Sequence, residues 1–221
     1  MRFPLVKELR GVAAAGLVAA IAMHQLLSVW WALPLYAFFL VILFIGRQRQ
    51  RAIQAAPLMV LSPVDGVVLA VEQNCRHEYL GNSLATRVRI RQPVGGEYVL
   101  HTPIEGKVIE RWWPDKFSSG STNLGFAVEA DEGDRCVVDV VDAVRPRFKT
   151  HLIPAGYRAR HGQRCGLVGP AVVVDLYYAS SSQTCIRAGD QIQAGMTAVG
   201  KLQPHYQRLA DAQAQRGVRA A

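Results

Sequence analysis

The sequence predicts a mainly β domain of barrel-sandwich-like form preceded by an N-terminal transmembrane helical hairpin. Three features predict it. From Gly11 to Ile45, 35 residues pass without one Asp, Glu, Lys or Arg. Beyond Pro57 the helical period gives way to short β-branched runs, and Gly, Pro and Asp interrupt those runs about every ten residues. With 221 residues, 50% hydrophobic and 19% charged, the chain is too apolar for disorder.

Taken in chain order, the apolar run comes first. A secretory signal has an apolar region of only about 7 to 15 residues, whereas this run continues through Trp30, Trp31 and Phe38 to Phe44. One straight helix of that length reaches about 52 Å against a hydrocarbon core of about 30 Å. Two short spans turning near Ser28 to Pro34 fit better, with the Trp pair at the interface and Pro34 opening the second helix. Arg2, Lys7 and Arg10 precede the run and Arg47, Arg49 and Arg51 follow it, which places both ends in the cytoplasm. His24 falls inside the first apolar stretch, and we read it as a neutral imidazole near the interface or bonded across the hairpin. The organisation is therefore a membrane anchor over 1–51, a β-rich domain over 52–202 and a basic tail or short helix over 203–221. The expected location is the inner (cytoplasmic) membrane, with the soluble domain facing the cytoplasm.

Candidate strands in the second part are Leu58 to Leu61, Gly66 to Glu72, Thr86 to Arg91, Tyr98 to His101, Gly106 to Trp112, Gly125 to Glu129, Arg135 to Val141, Ala171 to Tyr178 and Thr197 to Leu202. So many short strands suit a barrel or sandwich. From Ile186 to Leu202, two Gly-centred turns bracket a short strand, a rhythm similar to that of biotinyl and lipoyl carrier folds, though the carrier lysine context is missing. Cys75, Cys136, Cys165 and Cys185 form no CxxC and spell neither a disulfide frame nor a metal site, so they read as reduced, mostly buried thiols. The net charge of +8 sits partly beside the apolar segment, which favours anionic phospholipid over nucleic acid as partner.

Two stretches share the frame x-P-x-(D/E)-G-x-V about 40 residues apart: SPVDGVV from Ser62 and TPIEGKV from Thr102. The first is preceded by Leu61 and the second by His101, and WWPDKF follows from Trp112 to Phe117. In order and spacing these motifs resemble those of the phosphatidylserine decarboxylase family, short membrane-anchored type. The resemblance implies a proenzyme that cuts itself before a serine in a Gly-Ser motif and converts that serine into a pyruvoyl group, whose carbonyl forms a Schiff base with the substrate amine. It also implies that Asp65 and His101 are the groups that activate and orient during self-cleavage. Taken alone, Asp65-Gly66 reads as a turn and His101 as a strand residue.

The family pattern breaks downstream. Where the short type has G-x-I-x-F-G-S-R-V-D-x-Y, this chain reads GLVGPAVVVDLYY from Gly166 to Tyr178. An ungapped match on Gly166, Asp175 and Tyr177 puts Ala171-Val172 at the Gly-Ser position, and a two-residue gap puts Gly169-Pro170 there. None of the four carries a hydroxyl, so no pyruvoyl cofactor is expected. The family's other histidine is also missing, since Tyr98-Val99-Leu100 precede His101. The expected function is that of a decarboxylase-like membrane protein of phospholipid metabolism without self-processing, its partners being the membrane and anionic or aminophospholipid head groups. Two alternatives stand beside it. One is an active decarboxylase using another hydroxyl, such as Ser180 to Ser182, Thr184, or Ser118, Ser119 and Ser121. The other is a non-enzymatic scaffold domain at the membrane.

Overall fold

The structure, a computed structural model, describes residues 7–26, 29–45, 53, 56–81, 83–112, 124–141, 152–168 and 172–203. The chain separates into two compact units, Met1–Arg51 and Ala52–Ala221.

The first unit is a helical hairpin of α1 (Lys7–Leu26) and α2 (Val29–Ile45). Ala13 and Ile42 are buried between the helices, with Phe39 packed on them. His24 meets Tyr36 edge-on across the hairpin at 6.4 Å between ring centroids. Pro34 lies inside α2 instead of opening it; it withholds a single donor from the hydrogen-bond ladder, and the helix extends through Trp30 and Trp31 to Val29. The transmembrane character expected of the hairpin needs correction, because among the described residues no helix is long and apolar enough to cross a membrane. α2 is apolar throughout but has 17 residues, about 26 Å of helix against about 30 Å of hydrocarbon. α1 gains its greater length by including Lys7, Glu8 and Arg10.

The second unit is built from β1 (Met59–Leu61), β2 (Gly66–Cys75), β3 (Ala85–Arg91), β4 (Val99–His101), β5 (Gly106–Trp112), β6 (Leu124–Glu129), β7 (Arg135–Val141), β8 (Arg158–Ala159), β9 (Arg164–Leu167), β10 (Val173–Ala179), β11 (Gln183–Thr184), β12 (Gln191–Ile192) and β13 (Ala198–Lys201), with one 3-10 turn at Glu78–Leu80. A curled eight-stranded antiparallel sheet runs β12-β2-β3-β10-β7-β6-β5-β8, flanked by the small sheets β1-β13-β11 and β4-β9. Each expected strand is present, with ends that agree within two residues except that β2 runs three residues beyond Glu72 to Cys75. β8, β9 and β11 escape the sequence pattern because ladders of two to four residues are too short to show alternation. Alternation places Val88 and Ile90, Phe126, Val138 and Val140, and Val174, Leu176 and Tyr178 on one buried face. That face is the core.

The order of the large sheet is a palindrome. β2 corresponds to β5, β3 to β6, β10 to β7, β12 to β8, and in the small sheets β1 to β4 and β13 to β9. Register and hydrogen bonds repeat in detail. Leu61 N donates to Pro103 O and His101 N to Pro63 O, both at 2.8 Å, so each shared motif grips the proline carbonyl of the other. Gly189 N donates to Val68 O as Gly156 N does to Val108 O, and Gly195 N to Ser62 O as Gly162 N does to Thr102 O. Both β2 and β5 shift register two residues after their first glycine. β7 and β10 pair antiparallel about Leu176↔Val138, which puts a pseudo-two-fold axis at the sheet centre. The second half, 99–167, is inserted whole between β3 and β10 of the first. The two short motifs therefore mark a duplication that their own length does not reveal.

On the outer face of the sheet, Arg89 makes two bonds of 2.8 Å to the buried carboxylate of Asp175, tying β3 to β10. Trp112 lies flat over Gly125, where an added Cβ would come within 2.4 Å of the indole, and its Nε1 donates to Asp139 Oδ1 at 3.0 Å. Trp112→Phe keeps the ring but leaves a buried carboxylate short of one donor. An expected loss of about 1 to 2 kcal/mol is read from urea unfolding of the full chain in detergent.

Candidate functional site

Asp65 closes the turn that follows Ser62-Pro63, one residue before β2. The Ser62 hydroxyl is spent inside that turn, donating to Val64 O at 2.6 Å. The half-buried Asp65 carboxylate reaches across to the turn after β12, where Oδ1 accepts from Ala194 N at 2.8 Å. His101 ends β4, with its backbone held by Pro63. Its ring lies against the next residue of the same turn, its Cδ2 standing 3.8 Å from where a Cβ on Gly195 would lie. Gly195 has φ +68°, a conformation that glycine adopts without strain. Asp65 and His101 thus bracket one turn, Ala194-Gly195, although 36 residues separate them in the chain.

Val172, at one of the two aligned positions for the family serine, is 1% exposed and packs in the main core; its carbonyl accepts from Gln92 N at 3.0 Å. Gly169, Pro170 and Ala171 lie outside the described residues, as do the aromatic motif from Trp113 onward, Ser118, Ser119, Ser121, the basic flank Arg47 to Arg51 and the tail beyond Gln203. A pyruvoyl group arises from a hydroxyl of the chain itself, and the buried isopropyl of Val172 does not fit that origin. Of the alternative hydroxyls, Ser180, Ser181, Ser182 and Thr184 are described, and Ser181 is exposed. Ser180 Oγ donates to Asn74 Oδ1 near the far end of β2 from Asp65, and Thr184 shares a 2.9 Å bond with the Tyr178 hydroxyl. Ser182 is 8% exposed.

The sequence reading passed over two buried polar residues at this end of the sheet. Gln92, 1% exposed, donates from Nε2 to Glu97 O at 2.6 Å, and its Oε1 is buried with no hydrogen-bond partner among the described residues. Glu97 itself is 4% exposed. Their signal was present: two polar residues flank the Pro93 to Gly96 turn directly after a strand.

His161 is the dyad counterpart of Ala194, and Glu105 that of Asp65. Burial pushes the His161 imidazole below its ordinary 6.5, while the Met59 and Pro103 carbonyls and the Glu105 carboxylate pull the other way. The unfolded chain therefore takes up a proton more readily than the folded one. The stability this residue contributes is present above pH 6.5 and is lost as pH falls through 6.5 toward the lower folded value. The drop in urea midpoint between pH 7.5 and 5.5 is expected to shrink in His161→Asn, and an unchanged drop would remove His161 as its source. Of the cysteines, all free, Cys136 and Cys165 are buried and burial raises both thiols, Cys75 is half-buried, and Cys185 is exposed.

No family model matches the chain. It is 26% identical over 199 residues to the phosphatidylserine decarboxylase proenzyme of Aromatoleum aromaticum, covering 86% of this chain and 91% of that protein. It is 27% identical to the proenzyme of Nitrosomonas europaea, over 85% of this chain and 90% of that one. It is also 27% identical to the proenzyme of Symbiobacterium thermophilum, over 91% and 98%. Along most of its length the chain is similar to phosphatidylserine decarboxylase proenzymes. As a phosphatidylserine decarboxylase relative it keeps the aspartate and histidine motifs around one turn, and its family-matched Asp175 is spent on holding Arg89.

Proposed function

We propose that this decarboxylase-family protein serves phospholipid metabolism as a membrane-attached, non-processing member that binds an aminophospholipid head group at Asp65 and His101. The observation that carries the reading is the meeting of Asp65 and His101 at the Ala194-Gly195 turn, combined with a family serine position that holds no hydroxyl. A carboxylate accepts from the head-group ammonium and an imidazole donates to its phosphate, so the pair keeps a binding role without the pyruvoyl group. The absence of that cofactor, and with it of decarboxylation, is part of the proposal. His101→Ala is expected to weaken binding of a short-chain soluble phosphatidylserine to the full chain in detergent by about tenfold, or about 1.4 kcal/mol. Unchanged affinity in both His101→Ala and Asp65→Asn counts against a site there.

The hairpin is the anchor in this reading. Trp30 (78% exposed), Trp31, Leu33, Phe38, Leu40 and Phe44 form a large apolar surface, which a soluble protein rarely leaves to water. We assign it to the inner membrane, entering and returning on the cytoplasmic side with the β domain in the cytoplasm. The protein is expected to resist carbonate extraction, and deletion of 1–51 to release it. Extraction of the full chain by carbonate counts against the anchor.

A further inference from the structure

We propose that Thr197 is a positioning residue of the Asp65 and His101 site, its hydroxyl holding the turn over 193–197 in the shape that offers Ala194 N–H to Asp65 and sets Gly195 against His101. The turn hangs from one residue of the first shared motif: Ser62 N donates to Thr197 O and Gly195 N to Ser62 O, both at 2.9 Å. Inside it, Met196 N and Thr197 N donate to Gln193 O at 3.2 and 3.0 Å. The two remaining N–H groups, on the successive residues Gln193 and Ala194, are taken by side chains. Gln193 N donates to Thr197 Oγ1 at 2.9 Å and Ala194 N to Asp65 Oδ1 at 2.8 Å. Thr197 therefore holds Gln193 from both sides, accepting from its N–H and donating to its carbonyl. That carbonyl shares a planar peptide unit with Ala194 N–H, so fixing one aims the other.

The duplicate turn is closed in the same way by a different side chain. Arg160 N donates to Gln163 Oε1 at 2.8 Å, Gln163 N to Arg160 O at 3.0 Å and Gly162 N to Thr102 O at 3.1 Å. Gly162 has φ +64° beside +68° for Gly195. The acidic counterpart there, Glu105, is exposed. A side-chain acceptor on the first N–H thus belongs to the turn itself, and the Asp65 carboxylate docks on a turn already shaped. Without the Thr197 hydroxyl, the N–H of the exposed Gln193 turns to water, and Ala194 N–H, on a residue 2% exposed, loses its aim. In serving a head group, Thr197 depends on the reading proposed above; its hold on the turn does not.

The test is amide hydrogen exchange of Ala194 in the ¹⁵N-labelled full chain in dodecyl maltoside, with Leu176 at the centre of the large sheet as the reference for an intact fold. Thr197→Val, equal in shape and without the hydroxyl, is expected to speed Ala194 exchange by about tenfold while Leu176 stays protected. Thr197→Ser, which keeps the hydroxyl, is expected to restore the protection. In the soluble phosphatidylserine titration, Thr197→Val is expected to weaken binding about fivefold and Thr197→Ser to bring it back to within about twofold of the unmodified chain. Unchanged Ala194 exchange in Thr197→Val overturns the positioning role, as does failure of Thr197→Ser to restore protection, since the methyl is then what counts. Loss of Leu176 protection along with that of Ala194 also overturns it, because the hydroxyl then supports the whole domain and not the turn. Weaker binding in His101→Ala with none in Thr197→Val has the same consequence. If Ala194 exchange behaves as expected while His101→Ala, Asp65→Asn and Thr197→Val all leave phosphatidylserine binding unchanged, the head-group reading alone is rejected and Thr197 stands as the residue that aims Ala194 at Asp65.

Discussion

After expression, purification and storage the protein is expected to run as a single chain of 24.3 kDa and to release no carbon dioxide from phosphatidylserine above background. Self-cleavage requires a side-chain hydroxyl or thiol to attack the preceding carbonyl and then to leave by elimination. Glycine, proline, alanine and valine at 169–172 offer neither. Val172 is closed into the core, and Ser180 and Thr184 have hydrogen-bond partners away from Asp65. Because the missing group is the precursor of the cofactor, the expected loss is complete and not a matter of degree. Intact-mass spectrometry under denaturing conditions decides it. Two fragments summing to the full chain, the smaller with a carbonyl that reacts with hydrazine, would show an active member using a different hydroxyl.

Gly106→Ala is expected to cost about 3 kcal/mol, at the upper end of what overpacking does in a closed structure. A Cβ at that position would stand 2.2 Å from the Glu129 carbonyl oxygen, which is backbone in the paired strand and has no rotamer to escape into. β5 and β6 must separate locally, and the strain falls on the turn that holds Glu105. Gly66→Ala is expected to cost a similar amount, because its Cβ would stand 2.4 Å from Arg91 O in the duplicated position. Gly95→Ala is the control: nothing lies within 4 Å of its added Cβ, so a change within about 0.5 kcal/mol is expected. Urea unfolding of the three variants separates the outcomes, and a Gly106→Ala protein as stable as the control would show that the β5–β6 pairing yields without cost.

The glycines of the two motifs show why a repeat of seven residues was legible while its meaning was not. The Pro, acidic residue and Gly are fixed by local turn geometry, so they leave a pattern in the chain. The exchange of Leu61 and His101 donors between the two turns is a contact over 40 residues that leaves none. The same applies to Gln92 and Glu97, which become notable only when the sheet buries them.

By itself the sequence determined the β class, the strands long enough to alternate, the two shared turns, the hairpin of apolar residues and the absence of a hydroxyl at the family position. All of these are set by local propensity, by periodicity or by the covalent identity of a side chain. Tertiary structure alone decided that α2 begins before Pro34 and ends short of a membrane's thickness, because helix ends follow packing and hydrogen-bond closure. It decided that Asp65 and His101 meet at the Ala194-Gly195 turn, since that meeting depends on β12 closing one edge of the sheet. It also decided that the domain is a nested duplication, because the inserted half lies between β3 and β10, where pairing across long loops, and not the order of residues, sets which strands are neighbours.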